Sequence, residues 1–486
     1  MRRHMKDPTV PTAARLTRAA SAISLFALLS GCATFSPDGG MTPVALYAGD
    51  VLHKGVTVIK NPDEAATAKS AVDRLRRRVL TADTAVQIAL LNNRRLQASY
   101  NELASSEAEM VGESLPPNPT FSISRIVGNG ASEIESQVAL DILALATLPI
   151  RSEIAAKKFR QAQLRAIEET LRTAADVRRT YYRTIAAGEL VGLLGQAEST
   201  AKTTAALASK LGETGSLNKL DQAREQVFYA ETSGDLATAR QQASSTRERL
   251  ARLLGFWGSD LDFRIPSALP SLPGHPTNLP AIEVEAVSKR IDLQIARIEL
   301  EVMARSYGLT QATRFLSMFE LAGISRRTKD TDGTVTRERG VNASVQVPIF
   351  DLGEVRVRQA EAAYMRAVNL LTDKAIGVRS EARDAYRTYR TSYDIAAHYQ
   401  REILPLRKII TEESQLRFSA MQIDVFALLL EARQRIAALR AAIEAKRSYW
   451  VADANLKAAI LGGGEDGAGG ESGSSATAST ASPAGH

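Results

Sequence analysis

Glu133-Ile134-Glu135-Ser136-Gln137-Val138-Ala139-Leu140-Asp141-Ile142 is the stretch on which the fold turns. Ile134, Ser136, Val138, Leu140 and Ile142 fall on one side of an extended chain and Glu133, Glu135, Gln137, Ala139 and Asp141 on the other. That period of two predicts a β-strand. Just before it, Pro119 to Arg125 sets Phe121 and Ile123 against Thr120, Ser122 and Ser124, and Gly128-Asn129-Gly130 suits the turn between them. Further along, Phe315 to Ser325 and Gly340 to Phe350 repeat the pair, the latter alternating Val341, Ala343, Val345, Val347 and Ile349 with Asn342, Ser344, Gln346 and Pro348. Arg326 to Arg339 reads as the polar loop joining them. Strands of about 9 to 11 residues, apolar outward and polar inward, are what a tilted transmembrane barrel requires. Four strands cannot close a barrel, and lipid does not tolerate open sheet edges, so strands from other copies must complete it. The alternation by itself also fits two soluble hairpins packed against helices.

The flanking segments are helical. Thr81 to Ser114 is amphipathic through Ala85, Ile88, Ala89, Leu96 and Leu103, with Thr81 as N-cap, and stops at Leu115-Pro116-Pro117. Arg151 to Leu211 and Glu354 to Ala420 are long helical runs of about 90 to 100 Å at 1.5 Å per residue, far beyond one globular core. Gly188, Gly192, Gly195, Gly377 and Pro405 are expected bends. Each run ends in a short turn, Leu211 to Asn218 and Phe418 to Asp424, and helices then return to Leu254 and Ile460.

The order of parts recurs after about 200 residues, with Ala89 to Gln97 matching Ala286 to Gln294 and Lys158 to Tyr181 running alongside Ala363 to Tyr386. The chain therefore divides into an extended leader (32–80) in which Pro37, Pro43 and Pro62 break any long element, a first repeat (81–264), a Pro-rich linker (265–280), a second repeat (281–461) and a disordered Gly/Ser/Ala/Thr tail (462–486). Residues 1–31 have the plan of a signal peptide, a basic stretch through Arg18 and then a short apolar run from Ala19 to Ser30. They hold +4 of the formal net charge of +7, so little basic excess remains to recruit nucleic acid. Leu29-Ser30-Gly31-Cys32 resembles the bacterial lipobox, which implies cleavage before Cys32 and acylation of the cysteine with diacylglycerol, plus a further chain such as palmitate on the new amine. Ala33, in place of an Asp, implies by the same resemblance an outer-membrane address. Cys32 is the only cysteine, so no internal disulfide forms.

From Leu80 to Leu461 the plan resembles the TolC-like outer-membrane efflux proteins. The most specific local likeness is Val347-Pro348-Ile349-Phe350-Asp351-Leu352-Gly353, which looks like the family's strand-to-helix junction. The first half departs from it, with Asp141-Ile142-Leu143-Ala144-Leu145-Ala146-Thr147-Leu148-Pro149 at the equivalent place. The resemblance implies a membrane α+β fold: a homotrimer in which four strands per chain form a twelve-stranded outer-membrane β-barrel continuous with a periplasmic α-helical barrel. It further implies a passive exit duct for drugs, metals or organic solutes, served by a periplasmic adaptor and an inner-membrane pump of the RND type. Thr214, Gly215, Ser216 and Leu217, with Ala420, Met421, Gln422 and Ile423, are then the adaptor-docking turns, and Asp221 and Asp424 the acidic candidates at the pore tip.

Enzyme chemistry is not indicated. No P-loop or G-x-S-x-G occurs, and His4, His53, His275, His398 and His486 have no metal-ligand spacing, so neither a metal nor a cofactor other than the lipid on Cys32 is expected. Two other readings stay open. One is the exit duct of a type I protein secretion system; the other is a periplasmic structural lipoprotein without a pore.

Overall fold

The computed structural model describes residues 35–462. Cys32, the signal segment and the tail from residue 463 lie outside them. The described residues form two units, one of residues 35–39, 107–155 and 316–347, the other of residues 40–106, 156–315 and 348–462.

The first unit contains one antiparallel sheet, β1 (Thr120–Gly128), β2 (Ala131–Asp141), β3 (Met318–Lys329) and β4 (Val335–Gln346), in the order β1-β2-β3-β4. Positive φ at Asn129 and Gly130 makes the first hairpin turn tight, as the sequence indicates. The second hairpin corrects the sequence expectation, because most of the supposed loop Arg326 to Arg339 is strand. Pairing runs from Met318↔Gln346 to Lys329↔Val335 and leaves only Asp330 to Thr334 as turn. A charged residue continues a strand readily where it meets opposite charge on the neighbouring one, as at Arg326, whose guanidinium meets Glu133 and Glu135 on β2 at 2.7 Å each. At its other end β4 stops at Gln346, four residues before the expected Phe350, because Pro348 has no N–H for a ladder.

The helices, in chain order, are α1 (Thr42–Tyr47), α2 (Pro62–Arg76), α3 (Ala82–Asn92), α4 (Arg94–Ser114), α5 (Ile142–Glu213), α6 (Lys219–Leu254), α7 (Ile282–Lys289), α8 (Ile291–Ala312), α9 (Glu354–His398), α10 (Leu404–Ser419) and α11 (Val425–Leu461). The leader is more structured than the sequence suggested. Pro62 starts a helix instead of breaking one, since Asn61 caps it and a first-turn proline has no intrahelical N–H to lose. Residues 54–60 form neither helix nor strand, and two glutamines hold them: Gln87 bonds both backbone groups of Gly55, and Gln97 accepts from the Ile59 amide while donating to the Thr57 carbonyl.

Thr81 opens α3 with a capping box, its hydroxyl accepting from the Thr84 amide at 3.1 Å. The single helix expected from Thr81 to Ser114 is, however, two, broken at Asn93 (φ −68, ψ 117). Arg290 breaks α7 from α8 with nearly the same torsions (φ −63, ψ 124). A glycine in left-handed conformation docks on each break. Gly255, which ends α6, sits where a Cβ would overlap the Asn92 carbonyl oxygen; Gly462, which ends α11, sits where a Cβ would come within 3.0 Å of the Ile291 nitrogen.

Helix α5 begins nine residues before the expected Arg151 and takes in Pro149. The Asp141 carboxylate accepts from the Ala144 amide at 2.9 Å and so starts the helix at the end of β2. The glycines at 188, 192, 195 and 377 do not interrupt their helices. Pro405 does act as expected: a π-turn at Tyr399–Ile403 precedes it and absorbs the ring that would strike the carbonyl one turn back. The helices pack through small and ring side chains. Val177, Leu96, Leu250 and Leu254 are fully enclosed, each side chain stabilising the fold by about 1.5 to 3 kcal/mol. Tyr389, Tyr393 and Tyr449 form a second cluster with ring centroids 5.6 Å apart along each contact.

Candidate functional site

The strand register sorts the sheet into two unlike faces. Side chains paired across strands point the same way, so Phe121, Val138, Gly323 and Val341 share one row, and Leu140, Leu321 and Ala343 the next. Phe319 opposite Val345 completes an apolar band. The other face carries Ser122, Gln137, Asn342, Ser344 and Gln346. Phe121 is 71% exposed, Ile123 78% and Val341 76%, so nothing among the described residues covers the apolar band. Strands β1 and β4 are edges, each hydrogen-bonded to a strand on one side only. An exposed apolar band with two open edges is a surface made for something other than water.

The second half reaches its long helix through the junction that the sequence singled out. Leu352 and Gly353 both have positive φ, and Gly353 lies so close to the Arg314 carbonyl that a Cβ would overlap it. Arg314 donates to the Leu352 carbonyl at 2.9 Å, and Arg356 to the carbonyls of Thr313 and Arg314.

At the opposite end of the long helices, the two turns share one design. Gly215 (φ 73) lies three residues before the N-cap Asn218, and Met421 (φ 57) three residues before the N-cap Asp424. The first position needs a residue without a Cβ penalty and has one. The second holds a methionine in the same strained conformation, 94% exposed. Thr214 donates to the Leu211 carbonyl, and Gln422 closes its turn on the Arg417 carbonyl at 2.8 Å. Ser216, Leu217, Ala420 and Ile423 complete the two loops.

The acidic candidates are both engaged in starting helices. Asp424 accepts from the Ala427 amide at 2.7 Å. Asp221 takes the Asn218 side-chain amide at 2.7 Å on one oxygen and Arg224 at 2.9 Å on the other. The charged pairs that tie the returning helices together are different ones. Buried Glu225 on α6 meets Arg433 on α11 at 2.7 Å, with the Arg433 guanidinium 4.1 Å over the Phe228 ring. Asp235 meets Arg440 at 3.0 Å. Sequence reading missed these pairs, because Glu225 is indistinguishable from a solvated helix residue until its neighbour is known. Among the described residues no group of three or more His, Cys, Asp or Glu could hold a metal, and no helix is long and apolar enough to cross a membrane.

The architecture matches the outer membrane channel CmeC of Campylobacter jejuni with a TM-score of 0.67 at 17% identity, covering 79% of this chain and 86% of CmeC. The chain has the TolC-like outer-membrane channel fold. The TolC-like match extends to the open state of the Neisseria gonorrhoeae MtrE outer membrane channel, with a TM-score of 0.64, 17% identity and 80% and 89% coverage. In sequence, the chain is 22% identical over 293 residues to the cobalt-zinc-cadmium resistance protein CzcC of Cupriavidus metallidurans, 58% of this chain and 68% of CzcC. No family model matches. These TolC-like relatives are channel and resistance proteins, not enzymes.

Proposed function

We propose that this chain is the outer-membrane component of a tripartite efflux system, a homotrimeric exit duct for small solutes with no catalysis of its own. The observation that carries the reading is the four-stranded sheet with an exposed apolar face and unpaired edges at β1 and β4. Unpaired backbone groups cost several kcal/mol each in hydrocarbon, so each β1 edge requires the β4 edge of another copy. Three copies give twelve strands. The common order of helix pair, hairpin, long helix and return helix in both halves, with a docked glycine at each helix break, supports an origin by internal duplication.

In this reading the tip turns around Gly215 and Met421 meet a periplasmic adaptor, the energy comes from an inner-membrane pump of the RND type, and lipid on Cys32 adds an anchor. CzcC, a cobalt-zinc-cadmium resistance protein, favours metal cations among the possible cargoes. The test is reconstitution of the purified full-length protein into planar bilayers alongside native-mass measurement. A trimer with discrete single-channel conductance is expected; a monomer with no conductance overturns the duct. Acyl labelling that Cys32→Ser abolishes is the companion expectation for the anchor.

A further inference from the structure

The outward apolar face does not stay apolar along its whole length. Towards the hairpin turns, the register places Arg125, Ile134, Arg327 and Arg337 in one row across all four strands. One row nearer the apolar band lies Arg339, beside Ser325, Ser136 and Ile123; one row further out lies Lys329, beside Val335, Ser132 and Val127. Five cations and no carboxylate therefore occupy this part of the face. All five are exposed, and none forms an ion pair among the described residues. The acids of the same rows, Glu133, Glu135 and Glu338, point to the other face, where Arg326 lies between them in the register.

Arg327 directly opposite Arg337 is a cross-strand pair of like charges, which opposes sheet formation unless an anion lies between them. Neighbouring strands are about 4.8 Å apart, so guanidinium groups on β3 and β4 can grip one tetrahedral anion while Arg125, two strands away, reaches a second. The position, immediately beyond the apolar band on the same face, is where phosphate groups of a lipid leaflet stand.

We propose that Arg125, Arg327, Arg337 and Arg339 form a binding surface for phosphate-bearing lipid headgroups of the leaflet around the hairpin turns, preferring a lipid with two phosphates. The inference rests on the reading of the sheet as an outer-membrane barrel. Arginine is suited to the task because its planar fork bonds phosphate in two places, and its aliphatic stem lies along apolar surface while the head group reaches the interface. The opposite face, with its internal Arg326 ion pairs, has no comparable excess of free cations.

The test is native mass spectrometry of the full-length protein titrated with diphosphoryl lipid A, monophosphoryl lipid A or phosphatidylcholine. Wild type is expected to retain diphosphoryl lipid A at about tenfold lower concentration than phosphatidylcholine, with the monophosphoryl form between. Replacing all four arginines by Gln removes that preference, whereas Arg326→Gln, the same charge lost from the other face, leaves it intact. If the fourfold variant does not assemble, the four single Gln variants are titrated, and each is expected to lose part of the preference. Equal retention of all three lipids by wild type, unchanged retention by the Gln variants, or displacement of lipid A by millimolar inorganic phosphate each overturns the proposal. Conductance measured on the same preparations separates the two readings: a conducting trimer without lipid preference overturns only this surface, and a non-conducting monomer overturns the duct.

Discussion

Asn93 and Arg290 hold the same place in the two halves, each breaking a helix with φ near −65 and ψ near 120 beneath the left-handed glycine that ends a return helix. Their chemistry differs. At the first break the work is done by neutral amides: Asn93 donates to the Leu253 carbonyl at 2.8 Å and caps α4 by accepting from the Leu96 amide, while Asn92 donates to the Leu254 and Gly255 carbonyls. At the second the same geometry is held by charge. Arg290 grips Asp292 in a two-point fork at 3.0 and 2.7 Å and also reaches Glu381, and Lys374 meets Asp292 at 2.9 Å. A backbone break of one shape is thus open to two solutions, and the charged one is vulnerable in ways that the neutral one is not.

The largest expected effect is at Asp292. Changing Asp292→Asn leaves buried Arg290 short of its main partner and costs about 3 to 5 kcal/mol, read as a lower midpoint in thermal or urea unfolding followed by helical circular dichroism. Asn93→Ala, with one cap and one hydrogen bond lost, costs about 1 to 2 kcal/mol, and an equal loss at the two breaks would erase the contrast. The glycines refine it further. Gly255→Ala, which drives a Cβ into the Asn92 carbonyl, destabilises by about 1 to 3 kcal/mol and by more than Gly462→Ala, whose nearest neighbour is 3.0 Å away.

The smallest effect is in pH. Burial pushes the Asp292 carboxyl upward, but its hydrogen bonds and charge contacts with Arg290 and Lys374 outweigh this and hold it below the ordinary aspartate value of 3.8. A carboxylate with a lowered folded-state pKa adds stability that is complete above its unfolded value and disappears as pH falls through the folded one. Wild type's advantage over Asp292→Asn should therefore be constant from neutrality to about pH 4 and shrink below it. Its advantage over Asn93→Ala should stay flat, and a matching decline there would show that the two breaks do not differ in kind.

Much of this was legible in the residues, because period two at Ile134 to Ile142 and the near-repeat of Ala89 to Gln97 in Ala286 to Gln294 are local signals. The break itself was not, although it lies in the middle of that match. Asn93 and Arg290 are ordinary helix residues by propensity, and only docking of Gly255 and Gly462 makes a break favourable there. The strand ends around Arg326 to Arg339 were hidden for a related reason, since charge reads as loop until the register shows which side chain it faces. At the tips, the turns were visible in Gly215 and in the short polar stretch around Met421, whereas the Glu225 and Arg433 pair joins residues more than 200 positions apart.

The order of pairing in the sheet also bears on how the molecule is made. The two hairpins close over a few residues, but β2 meets β3 only between residues at least 179 positions apart, the nearest pair being Asp141 and Glu320. Closing that loop costs about 3 kcal/mol more entropy than closing a hairpin, so the central seam is a late event that waits for the helices between to shorten the span. Until it forms, there is no continuous apolar face to offer to a bilayer. On the duct reading proposed above, a chain built this way crosses an aqueous compartment as two small hairpins and becomes a membrane surface only once its helices are in place.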